Sequence, residues 1–176
     1  LMRIVRDFRY TDLKLLKKFI LDWKKRKLNY DIKYLNIEKM LKCFLFFKND
    51  KLAMLSGIDD ISEFVPNTYR ILTRAITTKY SPRCWGPTIE ERFFSNVMAG
   101  LSIDHCQEID NTKNIVITTN ADSRISNIMK KSNKGWMTYR EVISIYGENQ
   151  IIWDIDIVNC KIMTEKWKIK LDLVFE

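Results

Sequence analysis

Glycine and proline are scarce in this sequence: only five glycines and three prolines occur among 176 residues. Flexible linkers and low-complexity segments are rich in these residues, and we find neither of them, nor an internal repeat. Hydrophobic residues make up 46% and aromatic residues 12% of the chain, which is enough to build a core and to exclude a disordered tail. Because a domain commonly spans about 100–200 residues, we expect a single domain covering residues 1–176.

Metal-binding side chains are also few. His105 is the only histidine, and the four cysteines, which are Cys43, Cys84, Cys106 and Cys160, include no Cys-x-x-Cys pair. A zinc site needs Cys, His or carboxylate ligands at characteristic spacings, so we expect no metal site. His105 is interpreted as a surface or packing histidine, and the cysteines as free thiols in a reducing compartment.

The sequence lacks a long apolar run. No segment approaches the roughly 18 apolar residues of a membrane-spanning helix. The N-terminal residues are charged from Arg3 onward, unlike the apolar centre of a secretory signal. We therefore expect a cytoplasmic protein without a membrane partner.

Acidic residues are outnumbered by basic ones, which gives a net charge of +8 and a pI of about 9.3. The basic residues cluster in Lys24–Lys27, Ile128–Lys134 and Glu165–Lys170. A basic balance favours an acidic partner such as a polyphosphate cofactor, a nucleic acid or an anionic membrane surface. Such clusters are more often solvated faces, so charge alone does not choose a function.

Hydrophobic periodicity predicts strands and helices in the order β-α-α-β-β-β-α-β-α-β-β. Leu13, Leu16, Ile20 and Trp23 recur at helical spacing behind Thr11, a residue type that caps helices. Because strands and helices mix without strict βαβ repetition, we expect an α/β (α+β) fold with a mixed sheet and helices on both faces. Predicted strands cover Met2–Phe8, Cys43–Lys48, Lys51–Ile58, Thr68–Thr77, Lys113–Asn120, Gly135–Gly147 and Asn149–Asn159; predicted helices cover Thr11–Lys27, Ile37–Lys42, Thr88–Cys106 and Ala121–Lys131; the segment from Cys160 is ambiguous.

One segment, TRAITTKYSPRCWGPTIEERFF (Thr73–Phe94), predicts a strand, a tight loop and the start of a helix. Gly86 lies in the loop, and Pro87 suits the first turn of the helix. A strand, a glycine-bearing loop and a helix N-terminus commonly bind phosphate, because backbone N–H groups and the helix dipole converge on the anion. The alternative is a rigid Pro-Gly corner beneath Trp85 that only connects two elements.

The element order and the residues at two of its junctions resemble the GNAT family of N-acetyltransferases over Arg3–Asn159. In that family the central strand ends in a loop of pattern Q/R-x-x-G-x-G/A, and here Arg83–Thr88 reads R-x-x-G-x-T. The family's next strand ends near an asparagine and leads into a helix that closes before Gly-Phe. Here Asn120 is followed by Ser123, a predicted helix and Gly135-Trp136. The resemblance implies a GNAT-like mixed, mostly antiparallel central sheet.

The resemblance also implies that acetyl-CoA is the co-substrate and that an amine of unknown identity accepts the acetyl group. The pyrophosphate would lie on Arg83–Thr88, where Gly86 lets the backbone approach closely and Arg83 adds a charge-assisted contact. The pantetheine arm would pair with the strand edge at residues 75–77. The implied cofactor-binding residues are Ala75, Ile76, Thr77, Arg83, Cys84, Trp85, Gly86, Pro87, Thr88, Asn120 and Ser123.

The sequence assigns no catalytic residue. Direct acetyl transfer needs a base for the ammonium group and a proton donor for the leaving thiolate. The family often takes this donor from a tyrosine on the helix after the asparagine, but Ala121–Lys131 contains none, which leaves Tyr139 or water. Asp59, Asp60 and Glu63 are candidate bases because they follow a predicted strand, although carboxylates in turns more often serve local hydrogen bonding.

Two other functions stay open. Pro87 removes an N–H group from the loop and Thr88 replaces a small residue, which favours a catalytically inactive GNAT-like binding or structural module. Lysine clusters with Trp23, Trp136 or Trp167 as stacking platforms would favour nucleic-acid binding, but Trp23 and Trp136 fit core stripes and no RRM, KH or helix-turn-helix signature occurs. The acceptor and the oligomeric state are not defined by the sequence.

Overall fold

The computed structural model describes residues 2–25, 40–75, 94–122, 126, 130–131 and 135–176. The helices with described bounds are α1 (Leu13–Lys25), α2 (Phe94–Ile109) and α3 (Ile157–Lys170). The described strands are β1 (Arg3–Asp7), β2 (Lys42–Lys48), β3 (Lys51–Asp60), β4 (Thr68–Ala75), β5 (Asn114–Asn120), β6 (Met137–Ile145), β7 (Glu148–Ile155) and β8 (Val174–Phe175).

The described strands form one sheet in the order β6-β7-β5-β4-β3-β2-β1-β8. Two neighbouring pairs, β4 with β5 and β1 with β8, are parallel, and the other five are antiparallel. Tight turns at Asn49-Asp50 and Tyr146-Gly147 join β2 to β3 and β6 to β7, and all four residues have positive φ. Two-residue turns of this kind match the twist of antiparallel strands. The predicted mixed, mostly antiparallel sheet is therefore confirmed.

Helices cover both faces of the sheet. On one face, α1 packs its buried Leu16 in a cluster with Leu55 of β3. On the other face, α2 and α3 contact each other, and Ile103 and Cys160 share a buried cluster with Ile71 of β4. Burial of each large aliphatic side chain stabilises the fold by about 1.5–3 kcal/mol, so these clusters fix the helices on the sheet.

The C-terminal part of the chain differs from the predicted strand. β7 ends at Ile155, and the Asp156 side chain accepts a hydrogen bond from the Asn159 backbone N–H at 3.1 Å. This contact caps α3, so the predicted strand Asn149–Asn159 is wrong beyond Ile155. The prediction failed because Asp154 and Asp156 alternate with apolar residues as in a strand, whereas Asp156 in fact caps a helix. The ambiguous segment from Cys160 is helical as far as Lys170 and then forms the short strand β8.

The start of α1 also differs in detail. A 3-10 turn at Tyr10–Asp12 precedes the helix; Arg9 is the N-cap of this turn, and Thr11 lies within it. The buried Asp12 carboxylate accepts hydrogen bonds from the Arg9 backbone N–H and from Arg6, each at 2.7 Å. The hydrogen bond from Arg6 lowers the pKa of Asp12 below its ordinary value, against the opposing effect of burial. Asp12 therefore organises the N-terminus of α1.

Two predicted helices are described only in part. Most of Ile37–Lys42 lies outside the described residues, and Lys42 itself begins β2. Ser126, Lys130 and Lys131 are helical, in agreement with the prediction for Ala121–Lys131. Within the described residues, no helix combines the length and apolar character needed to cross a membrane.

Three cysteines are buried free thiols: Cys43, Cys106 and Cys160. Burial raises the pKa of each thiol to about 12. Because the thiolate is the reactive form, we expect iodoacetamide at pH 8 to leave all three unmodified in the folded chain and to modify them in denaturant. Peptide mass mapping of both samples checks this result. Rapid alkylation of any of the three in the folded chain would contradict it.

Candidate functional site

The most distinctive feature of the sheet is the point where β4 and β5 part. The last residue pair between these parallel strands joins Ile71 with Ile117, although both strands continue. No pair between their later residues occurs in the described part of the sheet. We call the space between Leu72–Ala75 and Thr118–Asn120 the β4–β5 cleft.

The strands part because each follows its other neighbour. β4 stays paired with β3 as far as Ala75, which lies opposite Met54. β5 stays paired with β7 as far as Asn120, which lies opposite Gln150. Since a strand has two hydrogen-bonding edges, the edge of β4 that faces the cleft is left with backbone groups for another partner, as far as the described residues show. An extended chain can add to such an edge by β-strand pairing.

Asn120 holds the turn at the mouth of the cleft. Its side-chain Oδ1 accepts a hydrogen bond from the Asp122 backbone N–H at 2.9 Å, and its carbonyl accepts one from the Ser126 hydroxyl. The neighbouring Ala121 N–H donates to the Asn149 carbonyl at 2.9 Å and ties this turn to β7. The end of β5 is therefore fixed relative to the helical residues that follow it.

A second set of contacts joins the same elements on the α2 side of the sheet. Thr119 Oγ1 accepts hydrogen bonds from Trp153 Nε1 at 2.8 Å and from Ser126 Oγ at 2.7 Å. Sequence reasoning missed this arrangement, because nothing in the local pattern connects Thr119 with a tryptophan 34 residues later. These bonds position one wall of the cleft.

Of the predicted cofactor-binding residues, only Ala75 and Asn120 lie within the described part of the chain. They lie at the carboxyl ends of β4 and β5, on the two sides of the β4–β5 cleft. The contacts of Ala75 with the pantetheine arm and of Asn120 with the far end of the cofactor stay a prediction. The others lie outside the described residues: Ile76, Thr77, Arg83, Cys84, Trp85, Gly86, Pro87, Thr88 and Ser123.

Asp59, one of the candidate bases, is engaged with a buried arginine. Its carboxylate accepts hydrogen bonds from Arg70 Nε at 2.9 Å and from a terminal guanidinium nitrogen at 2.6 Å. Arg70 is 1% exposed and lies one residue before the last pair between β4 and β5. The carboxylate therefore serves to balance a buried positive charge at the base of the cleft.

Asp60 and Glu63 lie outside the cleft. Asp60 pairs with Tyr69 near the start of β4, about 10 Å along the strand before the cleft begins at Leu72. Burial acts to raise the pKa of Asp60, but hydrogen bonds from Ser62 and from a nearby lysine outweigh it, and the pKa is lowered. A lowered pKa makes a weaker general base. Glu63 is exposed in the same turn, so both carboxylates fit the local hydrogen-bonding interpretation better than a catalytic one.

Tyr139, the candidate proton donor, lies on β6 rather than beside the cleft. β7 separates β6 from β5, which places the Tyr139 backbone about 10 Å from β5. Its ring packs edge-on against Trp153 with centroids 6.1 Å apart, and Lys130 Nζ lies 5.6 Å from the ring centroid. The tyrosine is 48% exposed. The described geometry therefore gives Tyr139 no direct contact with the cleft.

The other side chains considered as functional candidates are His105 and three tryptophans. His105 lies near the end of α2, with Nδ1 3.6 Å from the Glu108 carboxylate. Trp136 and Trp167 are only 4% and 8% exposed, so neither ring is available to stack on a base; the side chain of Trp23 lies outside the described part. Among the described residues, no group of three or more His, Cys, Asp or Glu side chains is arranged to hold a metal ion.

Several solved structures that share this architecture are acetyltransferases. RimL, a ribosomal L7/L12 alpha-N-protein acetyltransferase in complex with coenzyme A, is 13% identical, with 87% of this chain and 93% of that chain covered at a TM-score of 0.53. The ribosomal-protein-S18-alanine N-acetyltransferase from Escherichia coli is 13% identical, with coverages of 86% and 92% and a TM-score of 0.53. The aminoglycoside acetyltransferase AAC(6')-Ib, in complex with coenzyme A and kanamycin, is 9% identical, with coverages of 93% and 99% and a TM-score of 0.56.

The chain therefore has the fold of the GNAT N-acetyltransferases, and the predicted resemblance in fold is confirmed. No protein-family model and no curated protein sequence matches the chain.

Proposed function

We propose that this protein transfers an acetyl group from acetyl-CoA directly to an amine. The observation that carries the proposal is the parting of β4 and β5 after Ile71 and Ile117. It occurs in a fold shared with acetyltransferases whose structures contain coenzyme A. The cleft leaves the β4 edge able to pair with an extended arm, and pantetheine has two amide groups that suit such pairing.

In this proposal acetyl-CoA lies along β4 and its phosphates extend toward the following loop. The pantetheine arm pairs with the strand edge at Ala75, Ile76 and Thr77. The pyrophosphate binds at Arg83–Thr88, where backbone N–H groups and a helix N-terminus provide a favourable field. Asn120 and Ser123 face the cofactor from the β5 side.

The reaction requires little chemistry from the protein beyond positioning. The amine nitrogen attacks the carbonyl carbon of the thioester, the new C–N bond forms, and the C–S bond breaks to release the thiolate. One proton leaves the amine and one proton reaches the thiolate. Asp59 is engaged with Arg70, and Asp60 and Tyr139 are remote from the cleft, which favours water as the carrier of these protons.

Thermal unfolding with and without acetyl-CoA tests the proposal. At a concentration about 100 times its dissociation constant, a ligand stabilises the folded chain by about 2.7 kcal/mol, so we expect the Tm to rise by about 5–10 °C. Arg83→Glu should abolish the rise, because it places a negative charge beside the pyrophosphate.

Lys14→Glu is the matched control for this charge reversal. Lys14 lies exposed on α1, so this variant has the same change in net charge and should keep the full rise in Tm. A folded wild type whose Tm is unchanged by acetyl-CoA would overturn the enzyme proposal and favour the catalytically inactive module. If Arg83→Glu and Lys14→Glu lost the rise in Tm equally, the loss would be a non-specific effect of charge.

A further inference from the structure

Thr118 has a buried hydroxyl group whose role in the fold is not apparent. The residue is 1% exposed, and its Oγ1 has no hydrogen-bond partner among the described residues. Its neighbour Thr119, by contrast, accepts two hydrogen bonds. A buried polar group without a partner destabilises the folded chain and calls for a compensating role. One such role is binding a ligand.

The position of Thr118 relates it directly to the β4–β5 cleft. It is the first residue of β5 beyond the last pair with β4, which ends at Ile117. Ile117 packs toward the cluster of α2 and α3, and alternate residues of a strand lie on opposite faces. Thr118 therefore lies on the other face, together with Val116 and with Ile152 of β7.

The surroundings of Thr118 combine apolar and polar groups. Leu72, the first β4 residue beyond the last pair, lies on the same face across the cleft, and Ile152 is the pair of Thr118 on β7; both are buried. Gln150 is also buried and pairs with Asn120 at the next position on this face. Ligand sites commonly have this composition, with apolar walls and a few polar groups that fix orientation.

We propose that Thr118 is a hydrogen-bonding subsite for the acceptor amine, an inference that rests on the proposed function. Acetyl-CoA occupies the β4 edge of the cleft, so the amine approaches its thioester from the side of β5. The Thr118 hydroxyl donates a hydrogen bond to an oxygen that the acceptor holds within two or three bonds of its reacting nitrogen. The substrate class is therefore an amine with a neighbouring carbonyl or hydroxyl oxygen rather than a simple alkylamine.

The hydroxyl is closed to solvent, so the acceptor reaches it only if the ends of the two strands separate. Within the described residues no ladder hydrogen bond joins Leu72–Ala75 to Thr118–Asn120. The strand ends can therefore separate without breaking backbone pairing between them. The new hydrogen bond to Thr118 then satisfies a group that has no partner among the described residues of the free chain.

Thr118→Val and Thr118→Ser test the subsite. Valine keeps the shape and removes the hydroxyl, so we expect its Tm to rise by about 2–5 °C, because an unsatisfied buried group is lost. Serine keeps the hydroxyl and is the matched control.

Calorimetric titrations then compare the binding of alaninamide, glucosamine and propylamine to each variant. They are carried out with saturating coenzyme A, which cannot donate an acetyl group.

We expect the wild type and Thr118→Ser to bind alaninamide or glucosamine about fivefold more tightly than propylamine, and Thr118→Val to lose this preference. Preference for alaninamide indicates a carbonyl and a peptide-like acceptor, whereas preference for glucosamine indicates a hydroxyl and an amino sugar. Equal binding of the three amines by the wild type, an unchanged preference in Thr118→Val, or a fall in its Tm overturns the subsite. The rise in Tm caused by acetyl-CoA is measured separately in each variant. If the wild type shows no such rise, the proposed function has failed, whatever the amine titrations show.

Discussion

Asp59→Asn is expected to lower the free energy of unfolding by about 3–5 kcal/mol, because it leaves a buried guanidinium without its counter-charge. The side chains of Arg70 and Asp59 are only 2% and 14% exposed. Two hydrogen bonds, at 2.6 Å and 2.9 Å, join them across β3 and β4. Asparagine keeps the size of the side chain but donates where the carboxylate accepts, so at least one of these bonds is lost.

The chain contains a matched pair for comparison. Arg140 and Asp154 also form a two-pronged ion pair across neighbouring strands, but their side chains are 34% and 46% exposed. Exposed pairs contribute about 0–1 kcal/mol, so Asp154→Asn should have a small effect. Urea unfolding of both variants checks the difference. If both variants lost the same free energy of unfolding, burial of Arg70 would not explain how much the Asp59–Arg70 pair stabilises the chain.

A double variant separates the charge from the packing. Asp59→Leu combined with Arg70→Met replaces the buried pair with apolar side chains, an exchange that is often neutral or stabilising. We expect it to be more stable than Asp59→Asn. A double variant no more stable than Asp59→Asn would indicate that the shape of the two side chains, and not their charge, supports the base of the β4–β5 cleft.

Local patterns made most of the sheet predictable. Residues that tolerate positive φ, such as Asn49 and Asp50, mark the β2–β3 turn, and the predicted strand Cys43–Lys48 differs from β2 by one residue. The predicted strand Lys113–Asn120 likewise differs from β5 by one residue. Turn chemistry and hydrophobic alternation act between near neighbours, so they can be recognised without knowing the fold.

Features that depend on distant residues were not predictable in this way. Asp59 follows a predicted strand and is followed by turn residues, so local reasoning assigns it to a solvated turn; its pairing with Arg70 depends on the register of two strands. The Thr118 hydroxyl, which has no hydrogen-bond partner among the described residues, lies where β4 leaves β5, a point that no local pattern encodes. Among the predicted cofactor-binding residues, Asn120 was chosen from a family motif, and it lies at the mouth of the cleft; its contact with a cofactor stays a prediction.

Gly100→Ala is expected to destabilise the chain by about 3 kcal/mol, which is large for the addition of a single methyl group. A Cβ atom at this position of α2 would overlap the Oγ1 atom of Thr164 on α3. It would also lie only 2.6 Å from the Cγ2 atom and 2.7 Å from the Cβ atom of Thr164. The Thr164 hydroxyl cannot turn away freely, since it donates to the Cys160 carbonyl at 2.8 Å. The two helices must therefore separate, although alanine alone favours a helix over glycine by about 1 kcal/mol.

Gly57→Ala is the control, because the nearest atoms to its added Cβ are Sδ and Cε at the flexible end of Met40, at 2.5 Å and 3.0 Å. That side chain can move, so we expect the free energy of unfolding to change by about 1 kcal/mol or less.

Adding Thr164→Ala to Gly100→Ala removes the two closest atoms and should restore part of the lost stability, which a double-mutant cycle of urea unfolding measures. Strictly additive losses would show that close packing of α2 on α3 at this crossing is not the cause. Because α2 directly follows the segment that contains the predicted pyrophosphate loop, a separation of the two helices should also weaken the rise in Tm caused by acetyl-CoA.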